Sequence, residues 1–212
     1  MVNYLELDPG NYKGTYKVIG GTLCFDFSNT ISYRNRPHPH EWLDTIENLV
    51  TWSQIVKVLD PSDARLLLED LSQDKKQACA KIIFLRELRE VVFRLFSSIV
   101  DNEHPLKTDL NFLNNLAQER IGWREIKFED GVFNFSHNKE LSCFERVVHS
   151  IYSSTIHALT QLDMKRIKKC SSCDWLFYDS SKNLSRKWCV MEDCGNRDKV
   201  NRFNKRKLIK KR

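Results

Sequence analysis

Apolar and polar positions divide the chain into stretches of different period. "YKVIGGTLCFDFSNTISYRNRP" opens as an extended apolar run broken at Gly20–Gly21. Its Asp26, Ser28, Asn29 and Thr30 favour turns or helix starts. "PHPHEWLDTIENLVTWSQIVKVLD" carries Trp42, Leu43, Ile46, Leu49, Val50, Ile55 and Val58, mostly three and four apart. That period predicts an amphipathic helix along the segment. Asp60 and Pro61 restart a helix, the first as N-cap and the second at the first helical position. A long helix is expected from about Gln73 to Val100. Ala78, Ile82, Leu85, Val92, Phe96 and Ile99 mark one of its faces, and Phe84, Leu88, Val91 and Leu95 another, so it belongs at the centre. "HPLKTDLNFLNNLAQER" predicts a shorter helix, and "WREIKFEDGVFNFSHN" a β-hairpin turning at Asp130-Gly131. A last helix, roughly Leu141 to Lys165, turns Phe144, Val147, Val148, Ile151, Tyr152, Ile156 and Leu159 inward.

The expected fold is mainly α with a small β-hairpin: a helical body over residues 1–165 and a small C-terminal module over 166–212. No Pro/Gly-rich linker separates them, so the module docks on the body or follows it directly.

With 41% hydrophobic and 29% charged residues, the 212-residue chain has the balance of a folded globular protein. The opening segment lacks a basic stretch followed by an apolar one, and no window approaches the ~18 apolar residues of a membrane span. A cytoplasmic protein with reduced thiols and no membrane contact is expected. The net charge of +6 hides an asymmetry: residues 160–212 hold 16 Lys and Arg against 6 Asp and Glu, and residues 1–159 hold 18 against 22. A mildly acidic body with a basic C-terminal part is a pattern associated with nucleic-acid contact.

Of seven cysteines, Cys24, Cys79 and Cys143 stand apart and read as small hydrophobes. Cys170-x2-Cys173-x15-Cys189-x4-Cys194 has the spacing of a four-thiolate zinc site, which saturates the metal and makes it structural. An iron–sulfur cluster, and redox dithiols or disulfides, are the alternatives. Between the pairs, "WLFY" and "RKW" are expected to pair as short strands around "DSSKN". After Cys194 the chain reads as a basic helix, in a treble-clef-like or zinc-ribbon-like layout whose thin core depends on one Zn2+.

"CSSCDWLFYDSSKNLSRKWCVMEDCGNRDKVNRFNKRK" resembles the CGNR zinc finger, whose signature stands here as Cys194, Gly195, Asn196 and Arg197. Phe177, Asp179, Asn183, Ser185, Arg186, Trp188, Met191, Lys199 and Arg206 fit its flanking pattern, while Lys187 replaces a common arginine. Upstream, "LCFDFSNT" is similar to the opening of the ABATE domain, which precedes CGNR fingers in a bacterial family of stress-induced transcription regulators. Phe25 stands where that motif usually has an aliphatic residue. The resemblance implies zinc-dependent DNA binding plus an upstream sensing or regulatory domain.

Arg186, Lys187, Arg197, Lys199, Arg202, Lys205, Arg206 and Lys207 are the candidate nucleic-acid contacts; for any one lysine a solvated helix face is the competing account. At about 100° per residue, Lys199, Arg202 and Arg206 share a helix face, and Arg197 points elsewhere, towards a structural role or a near phosphate. Asp26, Asn29 and Arg34 are candidates for a ligand pocket taking a small-molecule effector, although caps and internal ion pairs account for them more simply. No Gly-rich phosphate loop, GxSxG or HExxH is present, and no enzyme is expected. The sequence thus points to a DNA-binding transcription regulator, with a homodimer compatible with that role. The alternatives are an RNA- or protein-binding accessory factor, or a metabolite-binding or enzymatic body localised by the finger.

Overall fold

A computed structural model describes residues 5–120, 124–129, 131–137 and 141–209, with backbone alone for 119–120, 124–129, 132–137, 205–206 and 208–209. The fold is mainly helical, with three two-stranded antiparallel sheets among these residues. In chain order the elements are α1 (Leu23–Ser28), β1 (Ile31–Ser32), β2 (His40–Glu41), α2 (Ile46–Ile55), α3 (Pro61–Gln73), α4 (Lys75–Val100) and α5 (Lys107–Arg120). β3 (Arg124–Glu129), β4 (Val132–His137), α6 (Cys143–Gln161), β5 (Ile167–Lys169), β6 (Leu176–Tyr178) and α7 (Asn196–Ile209) complete them.

α4 is the hub, packed by α1, α3, α5, β5 and β6. It buries Ala78, Leu85, Leu88, Val91, Val92, Leu95 and Phe96 from both of its apolar faces. Phe25 of α1 meets Phe96 edge-on with ring centroids 4.8 Å apart. Its start is set by Asp74, whose carboxylate accepts from Lys76 N and Gln77 N. Asp60 caps α3 in the same manner, with Pro61 at its first turn. α6 begins in a capping box between Ser142 and Glu145. It ends at Gln161, short of the expected Lys165, because a single 3-10 turn (Met164–Arg166) follows it.

The expected hairpin is present as β3 and β4, with Glu129 opposite Val132. Gly131 there has φ +79°, in the left-handed region that glycine adopts without strain. Trp123, Asp130 and Asn138 of that motif lie outside the described residues.

Two expectations are corrected. The helix read from Trp42 onward begins at Ile46, where Thr45 Oγ1 accepts from Asn48 N at 3.1 Å. The residues before it are committed elsewhere: Trp42 N donates to Thr30 O at 3.0 Å and its indole Nε1 to Ser32 Oγ at 2.9 Å, so Trp42 is fully buried without being helical. The second correction concerns "WLFY". Its Leu176–Tyr178 pairs with Ile167–Lys169, before the first cysteines, and not with "RKW". The close turn between Cys170 and Trp175 brings those two strands together, and Lys187 is held instead by Ser171, whose N donates to Lys187 O at 3.2 Å.

The main core does not stop at α6. Ile167 and Leu176, at 2% and 0% exposure, belong to the same apolar cluster as Phe25, Leu88 and Ile151. A second, smaller cluster holds Cys170, Cys173, Trp175, Phe177, Cys189 and Cys194.

Candidate metal centre and basic helix

The first pair of cysteines sits on the turn between β5 and β6. Cys170 N donates to Trp175 O at 2.9 Å and Asp174 N to Cys170 O at 3.0 Å, with Asp174 at φ +62° closing the turn. Beyond β6, the buried Asp179 carboxylate accepts from Ser181 N at 3.0 Å, Ser181 Oγ at 2.6 Å and Arg186 N at 3.1 Å, folding the next loop back. The second pair opens with Cys189. A wide π-type turn, Met191–Gly195, follows, in which Cys194 N and Gly195 N both donate to Val190 O. A Cβ on Gly195 would lie 2.4 Å from Met191 Sδ, so the turn closes over a residue with no side chain. α7 starts at the next residue.

All four cysteines are buried, and their Sγ atoms lie within 4.8 Å of one another. Cys173–Cys189 and Cys189–Cys194 are both separated by 3.6 Å. Four thiolates about 2.3 Å from one ion stand about 3.8 Å apart at tetrahedral angles, whereas a disulfide requires about 2.05 Å. All seven cysteines are free thiols. The spacing therefore fits one ion and leaves no room for a multi-iron cluster. Without a cation the four groups compete for protons: hydrogen bonds from its three neighbours hold Cys170 below the ordinary thiol range, while the contact with Cys170 holds Cys173 above it. A dication removes that competition by stabilising four thiolates together. The cysteines form a single structural zinc site with no open coordination position.

The centre rests against the body at several points. Asn29 Nδ2 donates to Leu176 O and Asn29 Oδ1 accepts from Leu176 N, both at 2.9 Å. Tyr178 N donates to Gly20 O at 2.8 Å, and Trp175 Nε1 to Ile31 O at 2.8 Å. Lys17 pairs with Asp193 at 2.5 Å, and Lys169 pairs with Asp101. A four-thiolate zinc carries a formal −2, and the N-terminal end of α7 with its Arg197 places positive charge beside it. Arg197 lies over the Tyr33 ring, 4.7 Å from its centroid, in the wall of a cavity of about 190 Å³ that Cys173, Cys189 and Cys194 also border.

The other candidate cations divide into two groups. Arg186 is engaged inside the module: Nε donates to Trp188 O at 3.1 Å, Nη2 donates to Cys189 O, and the guanidinium lies 4.6 Å from the Phe177 ring centroid. Lys187, Lys199, Arg202 and Lys207 are exposed. Arg202 pairs with Asp198 one turn earlier. The side chains of Lys205 and Arg206 lie outside the described ones.

Asp26, Asn29 and Arg34 have internal partners. Asp26 Oδ1 accepts from Ile19 N at 2.8 Å and Gly20 N at 2.7 Å. Burial pushes its carboxyl up to about 6 against these two donors, which favour the charged form. Arg34 Nη1 pairs with Glu90 at 2.5 Å, its Nη2 donates to Ser28 O at 2.9 Å, and its guanidinium stands 4.2 Å from the Phe93 ring centroid.

Sequence reasoning missed Arg89, which is 2% exposed and grips Glu41 with both Nη atoms at 2.6 and 2.7 Å. The signal was available: Arg89 follows Leu85 by four and precedes Val92 by three, so it falls within the buried arc of α4.

A model of the CGNR zinc finger matches residues 166–207. A second model, named ABATE and described as "Putative stress-induced transcription regulator", matches residues 21–160. No curated protein matches the chain.

Proposed function

The chain belongs to the ABATE family and carries a CGNR zinc finger, and from that premise we propose that it regulates transcription by binding duplex DNA through α7. Residues 1–165 form the regulatory body in this proposal, open to a small-molecule effector, and 166–212 the DNA-contacting module, acting in the cytoplasm. Neither family is an enzyme family.

The observation that carries the proposal is the anchoring of α7. Its first turn follows directly from the metal ligand Cys194, while Lys199, Arg202 and Lys207 face solvent along it. A helix fixed at one end and cationic along its free surface suits contact with phosphates. The internal partners of Asp26, Asn29 and Arg34 favour a structural role for them over a shared ligand site.

Mobility shift on duplex DNA and on RNA, with unlabelled competitor and at two salt concentrations, tests the proposal. Binding to duplex DNA should weaken steeply with salt. Cys194→Ser should abolish it, and Arg202→Ala should weaken it and lower the salt slope by about one. Duplex binding indifferent to both substitutions would rule out α7 as the contact surface.

A further inference from the structure

α7 has an apolar pair within its cationic surface. Val200 and Phe203 are 57% and 56% exposed, so both apolar side chains are open to a partner. They stand three residues apart and therefore share a side of the helix. At about 100° per residue, Lys199 and Lys207 fall about 40° to either side of Phe203, one turn before and one turn after it. The Lys207 ammonium lies over the Phe203 ring at 4.8 Å from its centroid. An aromatic ring bracketed by cations, with Val200 about 60° to one side of it, makes a surface that meets apolar groups lying between phosphates.

Duplex DNA offers that arrangement in its major groove, where the C5-methyl of thymine projects between the two phosphate backbones. α7 has 14 residues, a rod about 21 Å long, and an α-helix enters that groove. The deep, narrow major groove of an RNA duplex does not admit one. Single-strand binders stack successive bases on several aromatic rings, and Phe203 is the one aromatic residue of α7. A second copy of α7 would confront the same lysines, and like charges oppose that pairing.

We infer that Phe203 and Val200 read thymine methyl groups in the major groove while Lys199 and Lys207 hold the flanking phosphates. The inference rests on the DNA-binding proposal and deepens it by assigning base recognition to two uncharged residues.

The experiment compares duplexes selected from a random pool by the full chain, each prepared with thymine or with uracil, which lacks only the methyl group. For the unaltered protein, uracil should weaken binding by roughly fourfold per contacted methyl, the value of burying one carbon. Phe203→Ala should weaken binding to the thymine duplex and lower the thymine-to-uracil ratio, and Val200→Ala combined with it should bring the ratio close to one. Retained zinc would show that this exposed position leaves the fold intact. Zinc-dependent duplex binding with a ratio of one for the unaltered protein would overturn the inference and leave the DNA-binding proposal standing. Absence of duplex binding, with Phe203→Ala weakening capture of single-stranded RNA, would overturn both.

Discussion

The side chain of Asn29 pairs with the peptide of Leu176 as a strand would, giving one hydrogen bond and accepting another across 147 positions of sequence. Both bonds are buried, and Asn29 is 1% exposed. Asn29→Ala would leave the Leu176 N–H and C=O without partners away from water. It should cost roughly 2–4 kcal/mol in urea unfolding. A loss of less than about 0.5 kcal/mol would mean that water replaces the amide without penalty, as at an exposed site.

Removal of zinc should have an uneven effect. Four of the six buried residues in the smaller cluster are the metal ligands, so little apolar packing remains there once the ion is gone. Hydrogen exchange after chelation should show α7 and the turn from Met191 to Gly195 losing protection, while α4 and α6 keep theirs. Cys189→Ser should reproduce the pattern. Uniform loss across α4 would show instead that the ion supports the whole fold.

Asp26 gives a pH dependence of definite sign. Its folded carboxyl lies at about 6, above the unfolded value near 3.9, so the folded state binds the extra proton. Its contribution to stability is complete below about pH 4 and is lost as pH rises through about 6, a change of up to roughly 3 kcal/mol. Asp26→Asn keeps an acceptor for Ile19 N and Gly20 N but cannot ionise. The variant should be the more stable protein at pH 7 and lose this portion of the pH dependence. Parallel stability profiles for the two proteins between pH 4 and 7 would contradict the assignment.

Arg186 separates bracing from DNA contact. Its guanidinium holds the carbonyls of Trp188 and Cys189 and stacks on Phe177, and a lysine ammonium cannot reproduce that fork. Arg186→Lys should therefore lower zinc retention against a competing chelator by about tenfold, the size expected when support of a ligand is lost. Unchanged zinc retention with weakened DNA binding would return Arg186 to the list of phosphate contacts.

The metal ligands were legible because zinc imposes short, paired spacings on its cysteines, and Cys170-x2-Cys173 and Cys189-x4-Cys194 obey them. Asp60-Pro61 was legible because capping is local chemistry. Trp42 was misleading: its spacing from Ile46 and Leu49 is helical, yet a hydrogen bond to Thr30, set by a distant turn, draws it away. β5 was hidden for a different reason. "RIKKC" has one apolar residue, so no two-residue period marks it, and only the closure of the Cys170 turn gives it a partner. The Arg89–Glu41 pair joins α4 to β2, a tertiary match that neither segment announces by itself.

Ile167 and Leu176 complete the same apolar cluster as α1 and α4, although both lie beyond α6 in the chain. On the ribosome, the helical part emerges before those two side chains exist. Until they arrive, the nascent protein carries an uncovered apolar surface on α1 and α4, and polypeptides released early would be candidates for chaperone capture. The stretch that carries the first zinc ligands is thus also the closing piece of the body's own core.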